Sequence, residues 1–206
     1  MNAARRNGER LLDDARLLMQ AGRYASACSL AILSIEESGK GSILRQLAVA
    51  KTDAEVNDSW RSYRNHRTKN ALWLIGILRD AVKSLEDMRP AFDPTSDHPA
   101  VLDAIKQLGF YTDCLGDRRW SAPNEVIDAS LASQLIGVAD TLRLRQDFSA
   151  REIELWIDHV GPHFNTPQAR HAVVAWERAM KAEGLSIYTS EEFEAFMLGP
   201  SSLASE

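Results

Sequence analysis

Apolar positions recur with the helical period along most of this chain. Leu11, Leu12, Ala15, Leu18 and Met19 fall on one face of a first helix, and Gly22 stands where that helix should end. A second helical stretch starts at Tyr24 and runs through "ASACSLAILSIEESGKGSILRQLAVA", with Ala27, Cys28, Ala31, Ile32 and Ile35 on a broad apolar face. Its Ala, Ser and Cys side chains are short enough to let a neighbouring helix approach closely. Thr52 and Glu55 have the spacing of a capping box. They open a third helical region, predicted to continue through "ALWLIGILRDAVKSLEDM" and to stop at Pro90.

The three prolines of residues 90–99 predict a loop, and a short segment "AVLDAIKQLGFYTDC" follows it. Gly116, Asp117 and Pro123 then punctuate an irregular stretch. Helical periodicity returns from Asp128 to Phe148. Ser149 with Glu152 caps a helix that ends at Gly161-Pro162, and Thr166-Pro167 opens the next. Thr189 with Glu192 caps a last short helix, and the tail "GPSSLASE" is expected to fray. No alternating strand pattern or internal repeat competes with this reading. The expected fold class is all-α, an antiparallel bundle of four or five helices over residues 1–148, with residues 149–206 a helical extension packed on it.

Composition narrows the function. The chain has 206 residues, 45% of them hydrophobic and 26% charged, and a net charge of −5. That balance suits an ordinary folded protein and argues against a general nucleic-acid coat, whose affinity rests on net positive charge. The longest apolar run, "ALWLIGIL", is far short of the ~20 residues a bilayer span needs. The N-terminus meets Glu9, Asp13 and Asp14 before any long apolar stretch, unlike a secretory signal. A cytoplasmic protein with no membrane partner is expected. Cys28 and Cys114 give neither a disulfide framework nor a zinc spacing and are read as thiols.

Against this acidic background, "SWRSYRNHRTKN" gathers Arg61, Arg64, His66, Arg67 and Lys69 between Trp60 and Trp73. Arg61 and His66 suit RNA cleavage without a metal. A histidine near neutral pKa can take the proton of a 2′-hydroxyl or protonate a leaving oxygen, and an arginine can grip the non-bridging phosphate oxygens. On a straight helix these two side chains would stand about 140° apart. Either the helix breaks here, or a second subunit brings the missing group across a two-fold axis, which predicts a homodimer with a composite site. The alternative is a solvated basic face anchored by Trp60 and Trp73 in the core.

"IEESGKG" is the second unusual stretch. Glu36 and Lys40 have favourable i,i+4 spacing. A glutamate buried beside the basic helix could instead hold Arg61 or His66 in place. Glu36 and Glu37 lack a Glu-x-x-His partner motif, and Gly161 and Pro162 interrupt the chelating spacing of His159 and His163. Neither a metal nor a cofactor is expected.

Three stretches in order resemble the AbiV family, bacterial abortive-infection proteins of the HEPN superfamily. They are "LLDDARLLMQAGRYASACSLAILSIEESGKGSIL" with its Glu-Glu-x-Gly-Lys end, "WRSYRNHRTKN", and "IKQLGFYTDCLGDRRWSAPNEV" with its Lys-Gln and Trp-x-x-Pro elements. The resemblance covers about residues 8–147. It implies a four-helix bundle, usually dimeric, in which an arginine and a histidine separated by four to six residues form a ribonuclease site at the dimer interface. Carried onto this chain, these are Arg61 and His66. Ser62 follows the arginine, where superfamily members often carry Asn, Asp or His. The implied function is a phage-defence effector that cleaves RNA, its substrate, when infection is sensed, with a phage-encoded protein as a candidate trigger. Arg64, Asn65, Arg67 and Lys69 would bind or position RNA, while Glu36, Glu37 and Lys40 would orient the site. The rival is a non-catalytic dimeric module that arrests growth by binding a phage or host component.

Overall fold

The short, apolar face expected on the second helix is buried along most of its length, and the other elements are arranged around it. The computed structural model describes residues 1–78, 81–93, 95–114, 120–186 and 188–199. Helix α1 (Asn2–Gln20) packs along α2 (Tyr24–Ala48), with Gly22 at φ +71° in the turn between them. Helices α3 (Asp53–Arg64), α6 (His98–Phe110) and α8 (Ala129–Leu142) pack against other parts of α2. Leu12, Cys28, Ala31, Ile32, Ile35, Leu102, Leu135 and Ala139 form the core among them. Burying side chains of this size stabilises the fold by roughly 1.5–3 kcal/mol for each Leu or Ile.

Close approach depends on small residues, as the α2 composition predicts. Ser34 Oγ donates to the Gly8 carbonyl at 2.7 Å and Ser29 Oγ to the Lys106 carbonyl at 3.2 Å. A Cβ on Gly109 would lie 2.2 Å from Ser29 Oγ and 2.9 Å from the Ala25 carbonyl, so α6 can sit on α2 only with glycine there.

The third helical region is more broken than its periodicity suggests. Thr52 and Glu55 form the expected capping box, but α3 stops at Arg64. A single turn, α4 (His66–Lys69), is followed by a 3-10 turn (Asn70–Leu72) and α5 (Trp73–Leu78). Residues 79–80 lie outside the described residues, residues 81–85 are not helical, and Pro90 falls inside a 3-10 stretch (Glu86–Phe92) instead of ending an α-helix. The loop before α6 is therefore shorter than expected, and His98 begins that helix. Trp60 is 40% exposed, so it does not anchor the basic stretch in the core, whereas Trp73 packs against the core.

Asp113–Cys114 (β1) and Trp120–Ser121 (β2) pair antiparallel. Strands of two residues are too short to leave an alternating pattern in sequence. Gly116 and Asp117 lie outside the described residues, as does the tail from Pro200. A short α7 (Pro123–Val126) precedes α8, which stops at Leu142 and not at Phe148.

Beyond this point α9 (Ala150–Val160), α10 (Ala169–Ala182) and α11 (Ser190–Leu198) gather a second apolar cluster around Leu155, Val160, Trp176 and Met180. Ser149 Oγ accepts from the Glu152 N–H at 3.0 Å, the expected cap of α9. Thr166-Pro167 instead form a turn, and α10 opens at Ala169. Thr189 stands at the start of α11, but its hydroxyl bonds the Glu192 carboxylate rather than a backbone N–H. This unit is tied to the bundle by Trp156 Nε1 donating to the Arg45 carbonyl at 3.1 Å and by reciprocal bonds between Asn2 and the Phe148 backbone. Among the described residues, no helix is long and apolar enough to cross a membrane.

Candidate active site

A glutamate in the middle of α2 organises the site. Glu36 is 3% exposed, and a carboxylate at such depth is unstable unless it is paired and hydrogen-bonded. Three cationic or potentially cationic groups meet it. Lys106 Nζ of α6 donates to Oε1 at 2.6 Å, while Oε2 receives His66 Nδ1 of α4 at 2.6 Å and has Lys69 Nζ at 3.7 Å. Lys106 also pairs with Asp103, one turn earlier on α6, at 2.8 Å. Burial pulls the Lys69 ammonium below its ordinary pKa, with Glu36 opposing it. For Lys106 burial acts in the same direction, but its contacts with Asp103 and Glu36 outweigh it and raise the pKa.

The chain reaches Glu36 because of two local features. Gly39 lies one turn beyond Glu36, and a Cβ there would stand 2.2 Å from the Lys69 carbonyl oxygen. Glycine inside a helix costs about 1 kcal/mol relative to alanine. Here it opens the notch into which the backbone at the end of α4 settles, which brings His66 and Lys69 over the glutamate. The second feature is Asn65. Its extended backbone, ψ 118°, ends α3, and its side-chain oxygen accepts the Arg67 N–H at 2.9 Å to start α4. The helix break that an Arg61–His66 site would need is present at this residue.

That break does not bring Arg61 and His66 together within one chain. The Arg61 guanidinium pairs with Asp58 at 3.0 Å, and its side chain is 78% exposed. Arg64, Asn65 and Arg67 are exposed near His66. Lys69, expected among the RNA-binding groups, is buried against Glu36. Lys40 pairs with Glu37 at 2.6 Å and not with Glu36, and its ammonium lies 5.2 Å from the Tyr63 ring centroid, joining α2 to α3. Of the three residues expected to orient the site, Glu36 is the one that touches the histidine.

The His66 side chain is 54% exposed despite this anchor. An ionised carboxylate can only accept, so the hydrogen bond to Glu36 places the Nδ1 proton and leaves Nε2 as the basic nitrogen. The arrangement holds an imidazole by one nitrogen and offers the other to solvent or substrate, as a general base requires.

Glu36, His66 and Asp103 also carry oxygen and nitrogen atoms mutually within 4.8 Å, a spacing that could suit a metal ion. The chemistry of the donor set opposes it. The Lys106 ammonium sits between the two carboxylates, and Lys69 stands on the same oxygen as His66, so the positive charge a metal would bring is already supplied.

Asp103 and Lys106 are absent from the residues singled out by sequence. Lys106 belongs to the Lys-Gln element that carries the family resemblance, and a lysine at helical spacing from Leu102 and Gly109 marks a charge on an inward face. Nothing in the spacing says which carboxylate it meets.

The model of the HEPN-type AbiV family matches residues 1–143. No curated protein and no solved structure matches the chain. The matched segment spans well over half of the chain and contains the whole cluster from Glu36 to Lys106, and the chain belongs to the AbiV family of HEPN proteins.

Proposed function

We propose that this protein is an abortive-infection effector that cleaves RNA without a metal ion, with His66 as general base and acid. The observation that carries this reading is the 2.6 Å contact between buried Glu36 and Nδ1 of a half-exposed His66. A carboxylate so fixed holds the ring and its tautomer, while Nε2 takes the 2′-hydroxyl proton. Attack of that oxygen on the adjacent phosphorus expels the 5′-oxygen, which is protonated in turn. The products are a 2′,3′-cyclic phosphate and a 5′-hydroxyl. Arg64 and Arg67, exposed beside His66, supply phosphate contacts. Arg61 serves as the phosphate clamp from the second subunit of a homodimer, because within one chain its guanidinium turns to Asp58. AbiV membership supports a HEPN-type role in abortive infection.

The test is the chemistry of the cut. The protein should cleave an RNA oligonucleotide to 2′,3′-cyclic phosphate ends and leave the same sequence with 2′-deoxyribose intact. Equal cleavage of both would eliminate the 2′-hydroxyl mechanism.

A second reading has its own support. Trp60, 40% exposed and packed edge-on against Tyr63 at 5.5 Å, presents an aromatic pair beside Arg61 and Arg64. Such groups anchor protein interfaces, and a non-catalytic dimeric module that binds a phage or host component would use them. It predicts graded loss across Trp60, Tyr63 and Arg64 with His66 unexceptional.

A further inference from the structure

We propose that the cavity between the bundle and the C-terminal helices is a binding site for a nucleoside monophosphate. The cavity holds about 450 Å³, within the range of small-molecule sites. Its walls come from the end of α2, residues 141–148, α9, α10 and α11. Most of these residues follow position 143, where the family match ends, while Arg45, Thr141 and Arg143 come from the matched segment.

The wall is built around Arg45. Its guanidinium carbon lies 5.3, 5.4 and 5.0 Å from the ring centroids of Phe148, Trp156 and Trp176, and it pairs with Glu152 at 2.5 Å. Its Nε is buried without a hydrogen-bond partner. Three aromatic faces and a carboxylate hold this cation, so it shapes the cavity wall.

Two further arginines line the space with their charge less committed. Arg145 is exposed and has no acidic partner among the described residues. Arg143 Nε is 3.3 Å from Asp140 but buried without a hydrogen bond. Of the two acids in the wall, Glu152 is taken up by Arg45, and Glu177 accepts from the Ser186 hydroxyl. Glu177 is 3% exposed, so the exposed charge of the wall is that of Arg143 and Arg145, and two guanidinium forks match one phosphate. Tyr188, 60% exposed, offers a ring face for a base. A partly enclosed space of this size takes one nucleotide and not a strand.

Calorimetric titration of the full chain, in EDTA, with AMP, GMP, adenosine and inorganic phosphate tests the assignment. AMP or GMP should bind one per chain, with adenosine and phosphate each at least about tenfold weaker, because each supplies half of the recognition. The pair Arg143→Ala with Arg145→Ala should weaken nucleotide binding by about tenfold or more, and Arg145→Ala alone, at an exposed position, gives the same direction should the pair unfold. His66→Ala should bind as wild type, which separates this site from the proposed nuclease site. No saturable binding of either nucleotide, equal binding of phosphate or adenosine, undiminished binding by the arginine variants, or loss of binding in His66→Ala would each overturn the proposal.

Discussion

Glu36 Oε2 lies 2.6 Å from His66 Nδ1, joining the centre of α2 to a one-turn helix thirty residues later in the chain. The contact links folding to chemistry, because the same carboxylate that neutralises Lys106 and Lys69 in the interior fixes the imidazole at the surface. Its two duties separate by substitution. Glu36→Ala leaves two buried ammonium groups without their shared partner and should lower stability by about 3–5 kcal/mol, read by denaturant unfolding. Glu36→Gln retains shape and an acceptor but not charge. At a temperature where it is folded, it should reduce RNA cleavage by about 10–100-fold while leaving RNA affinity near wild type.

Gly39→Ala tests the notch. Helix propensity alone favours alanine by about 1 kcal/mol. The added Cβ would stand 2.2 Å from a backbone oxygen that cannot swing away, and overpacking of this kind costs about 1–3 kcal/mol. The variant should unfold at lower denaturant concentration than wild type and lose cleavage, because α4 is displaced from Glu36.

The two buried lysines should leave opposite marks on stability against pH. Lys69 has a lowered pKa in the folded state, chiefly from burial, so between that value and the ordinary 10.5 the unfolded chain binds more protons. Stability from this residue therefore rises with pH across that window, and the wild-type minus Lys69→Met difference should climb towards pH 10.5. Lys106, raised by Asp103 and Glu36 over the opposing effect of burial, contributes stability that is complete below 10.5 and lost only as pH rises through its higher folded value. The wild-type minus Lys106→Met difference should be flat over neutral pH. Denaturant titrations at stepped pH check both signs.

The proposed composite site makes a quantitative prediction. Arg61→Ala removes a surface pair and should change stability by under about 1 kcal/mol while abolishing cleavage. Mixed with His66→Ala protein under subunit exchange, half the dimers carry both variants, and one of their two sites joins an intact Arg61 to an intact His66. Activity should return to about a quarter of wild type. No recovery would place both residues of a site in one chain.

How far the sequence carried this account varies by element. The paired helices α1 and α2, the capping box at Thr52 and the N-cap at Ser149 follow local rules, and the structure has them, although the Glu152 carboxylate goes to Arg45 instead of closing a box at Ser149. The break at Asn65 was readable only as a condition, since the angle between Arg61 and His66 demands a distortion without saying where. Asn65 is an ordinary helix residue until its side chain caps the next turn. The favourable i,i+4 spacing of Glu36 and Lys40 goes unused, because i,i+3 and i,i+4 pairs compete on one helix face and tertiary burial decides between them. The contacts of Asp103 and Lys106 leave no local signal, because a salt bridge seventy residues long in sequence is set by how α6 lies on α2. The open positions left by Gly39 and Gly109 allow that geometry, and they are visible only once the neighbours are known.

The most direct test of the central claim compares wild type and His66→Ala for RNA cleavage in excess EDTA, at matched thermal stability. The account predicts cleavage by wild type that EDTA does not diminish, and a loss of at least about 100-fold in the variant with dimer and fold intact. Cleavage that EDTA abolishes, or that His66→Ala retains, would contradict it.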